Sequence, residues 1–244
     1  MLRGLYIAAS GMLAQQVRHE TIANNLANAD TTGYKADEAV FRAALDTAIW
    51  RHRDPQKGAP TPQVGTLSFG TGVDAVVTDL RPGAIALTGR PLDVAIDGEG
   101  FFVVNTPQGE RYTRDGAFRQ SADGTLVTAD GMPVLGMRGI IRSANAPLTI
   151  APNGDVLANG QVIDRLRIVQ LQNASKEGAN RFAGKAQPLQ QFSLQAGALE
   201  RSNVSVVQAM VDMIVAMRAY EASHRAVLAH DETLQRAVND VGKV

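Results

Sequence analysis

Two periodicities divide this chain. From Val206 onward, apolar residues recur at alternating spacings of four and three, through Val206, Met210, Met213, Met217 and Tyr220 to Val227, Leu234, Val238 and Val241. That spacing keeps one stripe of a helix apolar. Sustained over about five heptads without an internal Gly or Pro, it predicts a coiled-coil helix with a left-handed supercoil. Only His224 and Asp231 interrupt the seam, Ser202 or Asn203 is the expected N-cap, and Gly242 the expected stop. The first residues carry a weaker version. Leu5, Met12 and Leu26 stand at seven-residue steps through His19, beside Leu2, Ala9 and Ala23 through Gln16. A helix with so polar a middle is unstable alone and needs a partner, for which the C-terminal heptads are the obvious source.

Between these ends the period shortens. From about Leu67 to Leu199, short apolar runs alternate with Asp97-Gly98-Glu99-Gly100, Asp115-Gly116, Asp123-Gly124, Asp130-Gly131, Asn153-Gly154 and Asn159-Gly160, which is the punctuation of antiparallel β structure. Val156-Leu157-Ala158, then Asn159-Gly160, then Val162-Ile163 predicts a hairpin closed by a type I′ turn. Phe101 to Val104 and Leu166 to Leu171 are expected to be strands buried on both faces or nearly so. Arg51 to Gly65, with three prolines, reads as a linker or surface loop. The fold class expected is therefore α+β: long terminal helices and an inserted, mostly antiparallel β domain. The divisions are 1–66 as N-terminal helix and extended loop, 67–199 as β domain, and 200–244 as C-terminal helix. The fold of 36–66 is left open.

Size then bears on function. A helix from Asn203 to Asp240 would run about 57 Å, whereas a β domain of this length has a diameter of only about 36 Å. The Val, Met and Leu side chains of the seam, each worth about 1.5–3 kcal/mol when buried, would stay wet without another chain to cover them.

Composition removes several function classes. Basic and acidic residues balance at 24 each, so no overall field draws the chain to nucleic acid or an anionic membrane, and neither nucleic-acid binding nor membrane insertion is expected. No run approaches the length of a membrane span. The N-terminus does not read as a cleaved signal, because Ser10, Gly11, Gln15 and Gln16 break its apolar run. The absence of cysteine rules out thiolate sites and fits work outside a reducing compartment. His19, His52, His224 and His230 never take a paired metal spacing, and no nucleotide or nucleophile motif is present. Asp93, Asp97, Glu99 and Asp115 could in principle supply a carboxylate pair. Three of them adjoin turn glycines, however, where such side chains accept local backbone hydrogen bonds. No catalytic residue, cofactor or metal is expected.

Residues 23–35, Ala-Asn-Asn-Leu-Ala-Asn-Ala-Asp-Thr-Thr-Gly-Tyr-Lys, resemble the signature of the flagellar basal-body rod protein family, which includes rod and hook axial proteins. The signature residues here are Asn24, Asn25, Leu26, Asn28, Gly33, Tyr34 and Lys35. Their companions follow in order: Arg90-Pro91-Leu92-Asp93-Val94-Ala95-Ile96 leading to Gly98-Glu99-Gly100-Phe101-Phe102, then Tyr112 to Phe118, then Ser202-Asn203-Val204, then Arg218-Ala219-Tyr220-Glu221. The resemblance runs nearly end to end. It leans toward the proximal rod type on the approach to Phe101-Phe102, on Asp130 to Gly136 and on short length; the opening residues 1–16 make the distal rod type the runner-up.

Membership implies a structural subunit and not an enzyme. It implies a location in the rod of the basal body where it crosses the periplasm, export through the flagellar type III apparatus without a cleaved signal, and assembly with copies of itself and neighbouring rod proteins into a torque-transmitting helical tube. The expected assembly seams are Leu5, Met12 and Leu26 at one end and Val206, Met210, Met213, Met217, Tyr220, Val227, Leu234 and Val238 at the other. Distal rod or hook-type subunits are the near alternative. A cell-wall carbohydrate-binding module is a remoter one, disfavoured because Trp50 is the only tryptophan and sugar-stacking surfaces need aromatics.

Overall fold

The computed structural model describes residues 2–44, 46–50, 63–144, 146–178, 180–189 and 191–241. The chain is α+β: a helix at each end with strands between. Helix α1 (Leu2–Ala27) is followed by β1 (Asp37–Ala43), β2 (Asp46–Trp50), β3 (Gln63–Ser68) and β4 (Thr71–Thr78). The middle carries β5 (Ile85–Leu87), β6 (Val94–Asp97), β7 (Phe101–Thr106), β8 (Gly109–Thr113), β9 (Arg119–Gln120), β10 (Leu126–Val127), β11 (Leu135–Gly136) and β12 (Gly139–Ile140). Then come β13 (Leu148–Ile150), β14 (Asp155–Ala158), β15 (Gln161–Arg165), β16 (Ile168–Lys176), β17 (Arg181–Pro188), β18 (Ser193–Ala196), β19 (Ala198–Glu200) and α2 (Val206–Val241). Two compact units result, one of residues 1–24, 37–77 and 207–244, the other of 25–36 and 78–206.

The second unit holds the core, and β7 explains its form. Phe101 and Val103 pack with Tyr112, Leu135, Val169, Leu171 and Phe182, while Phe102 and Val104 join Val94, Ile96, Phe118, Leu126 and Val134 in a second cluster. Successive side chains of a strand point to opposite faces, so a strand shared by two cores must be apolar without alternation, as 101–104 is. The first cluster lies with the closed barrel of β16, β17, β8 and β7, where the Phe101 and Phe182 rings stand 5.3 Å apart. In the other cluster Phe102 meets Phe118 edge-on at 5.0 Å. The second expected both-face strand is so only at its start: Ile168 and Val169 are buried, Gln170 is exposed, and Leu171 is buried again. The predicted hairpin is present, with Ala158 opposite Gln161 and Asn159 and Gly160 at φ 51° and 78°.

In the first unit, Asp37–Ala43 and Asp46–Trp50, in a stretch whose fold the sequence left open, are strands. β1 pairs with β4 and β2 with β3. The segment expected as a linker therefore ends earlier than Gly65, because 63–65 belong to β3; its 51–62 portion lies outside the described residues. Ala44 and Gly70 join the two pairings by backbone hydrogen bonds, and Ser10 of α1 accepts from Thr71 N through its hydroxyl at 3.3 Å.

Candidate assembly helices and the motif-bearing junction

Helix α2 is 36 residues long, or about 54 Å at 1.5 Å per residue. It begins at Val206, four and three residues beyond the two expected caps, Ser202 and Asn203. Asn203 cannot serve that role, because its Oδ1 accepts from Ala36 N at 2.7 Å and its amide donates to Asp79 O at 2.9 Å. The expected stop, Gly242, lies outside the described residues.

The two helices run antiparallel, Gly4 standing beside His230 and Gly11 beside Ser223. A Cβ added to Gly4 would stand 2.5 Å from His230 Nε2, and one added to Gly11 would stand 3.5 Å from Ser223 Oγ. A side chain at Gly4 would displace the His230 ring, whereas one at Gly11 would begin in ordinary contact with Ser223. On α2 the covered line is Ala209, Met213, Ala216, Ser223, Val227, His230 and Leu234, with Ala216 fully and Ala209 largely buried. This line shares Met213, Val227 and Leu234 with the seam read from the sequence. The remaining seam residues Val206, Met210, Met217, Tyr220 and Val238 are exposed, as are Val207, Val211, Ile214 and Val215. On α1, Leu5, Met12 and Leu26 are half-buried, whereas Tyr6, Ile7 and Leu13 are exposed. Arg218 and Glu221 are exposed, and so is His224.

The signature residues before and after the β unit serve another purpose. They converge on a buried junction inside the second unit. Gly33 takes φ +64°, and a Cβ there would lie 2.5 Å from the backbone of Arg114, so glycine is required both by conformation and by space. That turn delivers Tyr34 and Lys35 into the interior. Tyr34 donates its hydroxyl proton to Asn25 Oδ1 at 3.1 Å. Lys176, whose Nζ donates to Lys35 O at 2.9 Å, lies 3.7 Å above the Tyr34 ring.

Lys35 Nζ meets Glu200 Oε1 at 2.6 Å, with both side chains inaccessible to solvent, and donates to Arg81 O at 2.7 Å. Glu200 Oε1 also accepts from Gly83 N at 2.8 Å. Its other oxygen accepts from Arg114 Nη1 at 3.1 Å. Arg114 in turn donates to Gly98 O, and its guanidinium lies 5.5 Å from the Phe101 ring centroid. Burial pushes the pKa of Lys35 below its ordinary value, opposed by the Glu200 carboxylate, and burial likewise lowers Arg114. Two cations share one carboxylate here, so the carboxylate is the member both depend on. Outside this triad, Asp79 accepts from the Arg81 side chain, which holds its pKa below the usual carboxylate range.

The other motif carboxylates are structural. Asp93, 1% exposed, is gripped by Arg90 through both oxygens and by Thr88. Asp115 accepts from Thr32 Oγ1 at 2.7 Å and from Ala117 N at 3.0 Å, and Glu99 accepts from Gln170. Among the described residues no cluster of His, Asp and Glu could hold a metal ion, and no helix is long and apolar enough to cross a membrane. Sequence reasoning passed over Glu200 altogether. Its signal was a lone carboxylate closing the apolar run Ala198-Leu199, beside the Ser202-Asn203 motif.

Comparison with known proteins decides the family. Residues 5–35 match the family described as flagella basal body rod protein, residues 95–158 the D1 domain of flagellar hook protein FlgE/F/G, and residues 195–240 the C-terminal family of flagellar basal body rod FlgEFG proteins. The chain is 34% identical to the flagellar basal-body rod protein FlgG of Bacillus subtilis, over 98% of this chain and 99% of that one. The chain belongs to the flagellar basal-body rod protein family. Other full-length relatives are the flagellar basal-body rod protein FlgF of Caulobacter vibrioides, 32% identical, and the flagellar hook-basal body complex protein FlhO of Bacillus subtilis, 30% identical. Rod-family proteins are structural parts of the flagellar basal body, so this chain is a motility component that assembles with other rod components, and not an enzyme.

Proposed function

We propose that this rod subunit assembles with copies of itself and with neighbouring rod proteins by burying the outward apolar faces of its terminal helices. In this reading residues 1–66 and 200–244 form the assembly core and 67–199 the outer domain. The observation that carries it is the first half of α2, where Val206, Val207, Met210, Val211, Ile214, Val215 and Met217 are all exposed while Ala209 and Ala216 face inward. A helix apolar nearly all round is stable only when enclosed, and α1 covers one side. Enclosure by helices of neighbouring subunits, arranged as coiled coils about a tube, satisfies the rest. A heterologous contact whose rotation does not close then propagates a helix of subunits able to transmit torque.

Export through the flagellar type III apparatus, without a cleaved signal, and a place in the rod where it crosses the periplasm complete the proposal. Of the rod types, the proximal one is retained from the motif reading. Deletion of the gene is the test. Hook and filament should fail to form, and a variant carrying Ile214→Lys with Val211→Lys should not restore them although it is made and exported. Normal flagella in the deletion strain would sink the proposal. Restoration of strains lacking one or the other rod protein separates proximal from distal.

A further inference from the structure

Two Asn-Gly dipeptides, Asn153-Gly154 and Asn159-Gly160, bracket strand β14, and their surroundings are opposite. This dipeptide is prone to spontaneous deamidation, because the nitrogen after the asparagine is unobstructed when glycine follows. At the first pair the reacting groups are tied down. Gly154 N donates to Ala151 O at 2.9 Å, Asn153 Oδ1 accepts from Asp155 N at 3.1 Å, and Asn153 Nδ2 donates to Asp155 Oδ2 at 2.7 Å. The Phe192 ring lies within 2.9 Å of where a Gly154 Cβ would be, and Gly154 is buried. At the second pair both residues are exposed and nothing comes within 4 Å of a Cβ built on Gly160. The two residues form the whole connection of the hairpin, Ala158 standing opposite Gln161. In a two-residue turn of this kind the closing bonds run between the flanking strand residues, which leaves the amide of the second turn residue outside the ladder.

We propose that Asn159 is a site of spontaneous covalent modification in the folded protein and that Asn153 is not. Gly160 N, losing its proton to solvent base, attacks Asn159 Cγ; the new N–C bond closes a succinimide as the side-chain nitrogen leaves as ammonia. Water then adds to one of the two imide carbonyls and breaks that C–N bond, giving aspartate or isoaspartate. No electrons change hands, and water is the only co-reactant. The product adds one negative charge to a chain whose formal net charge is zero. As isoaspartate it lengthens the main chain of the turn by one methylene, which a type I′ turn of two residues does not accommodate.

The test holds the full-length protein in buffered water from pH 7 to 9 and follows both sites by peptide mass mapping, with a second sample kept unfolded in urea. In the folded sample the one-dalton gain should appear on the peptide bearing Asn159 at least roughly tenfold faster than on that bearing Asn153, the cost of opening two or more hydrogen bonds at the latter. Its rate should rise with pH, and Asn159→Gln should abolish it. In urea the two sites should react at similar rates. Equal rates at the two sites in the folded chain, or an Asn159 that stays intact while the unfolded sample reacts, would overturn the proposal.

Discussion

Glu200 is the residue on which the junction depends. Its two oxygens hold Lys35, Arg114 and the Gly83 amide, and the Lys35 and Arg114 side chains are both buried away from water. Removing one partner of a buried pair leaves an uncompensated charge, at a cost of about 3–5 kcal/mol. Glu200→Gln should therefore lower unfolding stability in urea by about that much, and Lys35→Met by less, because Glu200 keeps two of its donors. Equal losses would mean that the carboxylate is not the shared member. Gly33→Ala asks an L-residue to hold φ +64° against the Arg114 backbone; strain of this sort costs of order 1–3 kcal/mol, and denaturation should register at least that. Asp79 governs part of the acid response. Its carboxylate is favoured in the folded state by Arg81, so its contribution is complete above the unfolded pKa and is lost as pH falls through the lower folded value. Stability measured from pH 5 down to 2 should fall less steeply for Asp79→Asn than for the parent. An unchanged slope would show that the Arg81 contact adds nothing in solution.

At the scale of the element, α2 shows that one periodic pattern can serve two faces. The four-three spacing correctly announced a long helix, but not which stripe meets α1. Large residues are the visible part of a heptad pattern, and the eye follows Val206, Met210, Met217 and Tyr220. On α1, Gly4 lies against His230 and Gly11 against Ser223, and Ala209 and Ala216 are the buried small residues of α2. Val206, Met210, Met217 and Tyr220 are left outward, whereas Met213, Val227 and Leu234 lie on the covered line. Ile214→Lys should accordingly leave helix content by circular dichroism and unfolding stability nearly unchanged, within about 0.5 kcal/mol as for other surface positions. It should reduce concentration-dependent association seen by sedimentation. A large loss of stability would place Ile214 in the subunit's own interior instead.

For the whole molecule, stability is unevenly distributed. The unit formed by residues 25–36 and 78–206 contains both apolar clusters and the buried charges, whereas the terminal helices and the β1–β4 strands carry much exposed apolar surface. Segments with few buried contacts open first. Limited proteolysis of dilute protein should trim α1, α2 and the 37–77 segment while a fragment holding Phe102 and Phe182 persists; loss of that fragment before the helices would contradict this ordering.

What the sequence determined by itself was whatever depends on near neighbours along the chain. Helical period at the ends, the Asn159-Gly160 turn and the doubly buried run Phe101 to Val104 are all local consequences of side-chain spacing and φ, and the ordered signature motifs identified the rod family. Tertiary structure decided the rest. It set Lys35 against Glu200, 165 residues apart, turned Asn203 from a cap into a tie for Ala36 and Asp79, and made strands of Asp37–Ala43 and Asp46–Trp50. Those outcomes turn on which distant segments meet, and on whether a charge or amide so buried finds its partner, which no periodicity along the chain records.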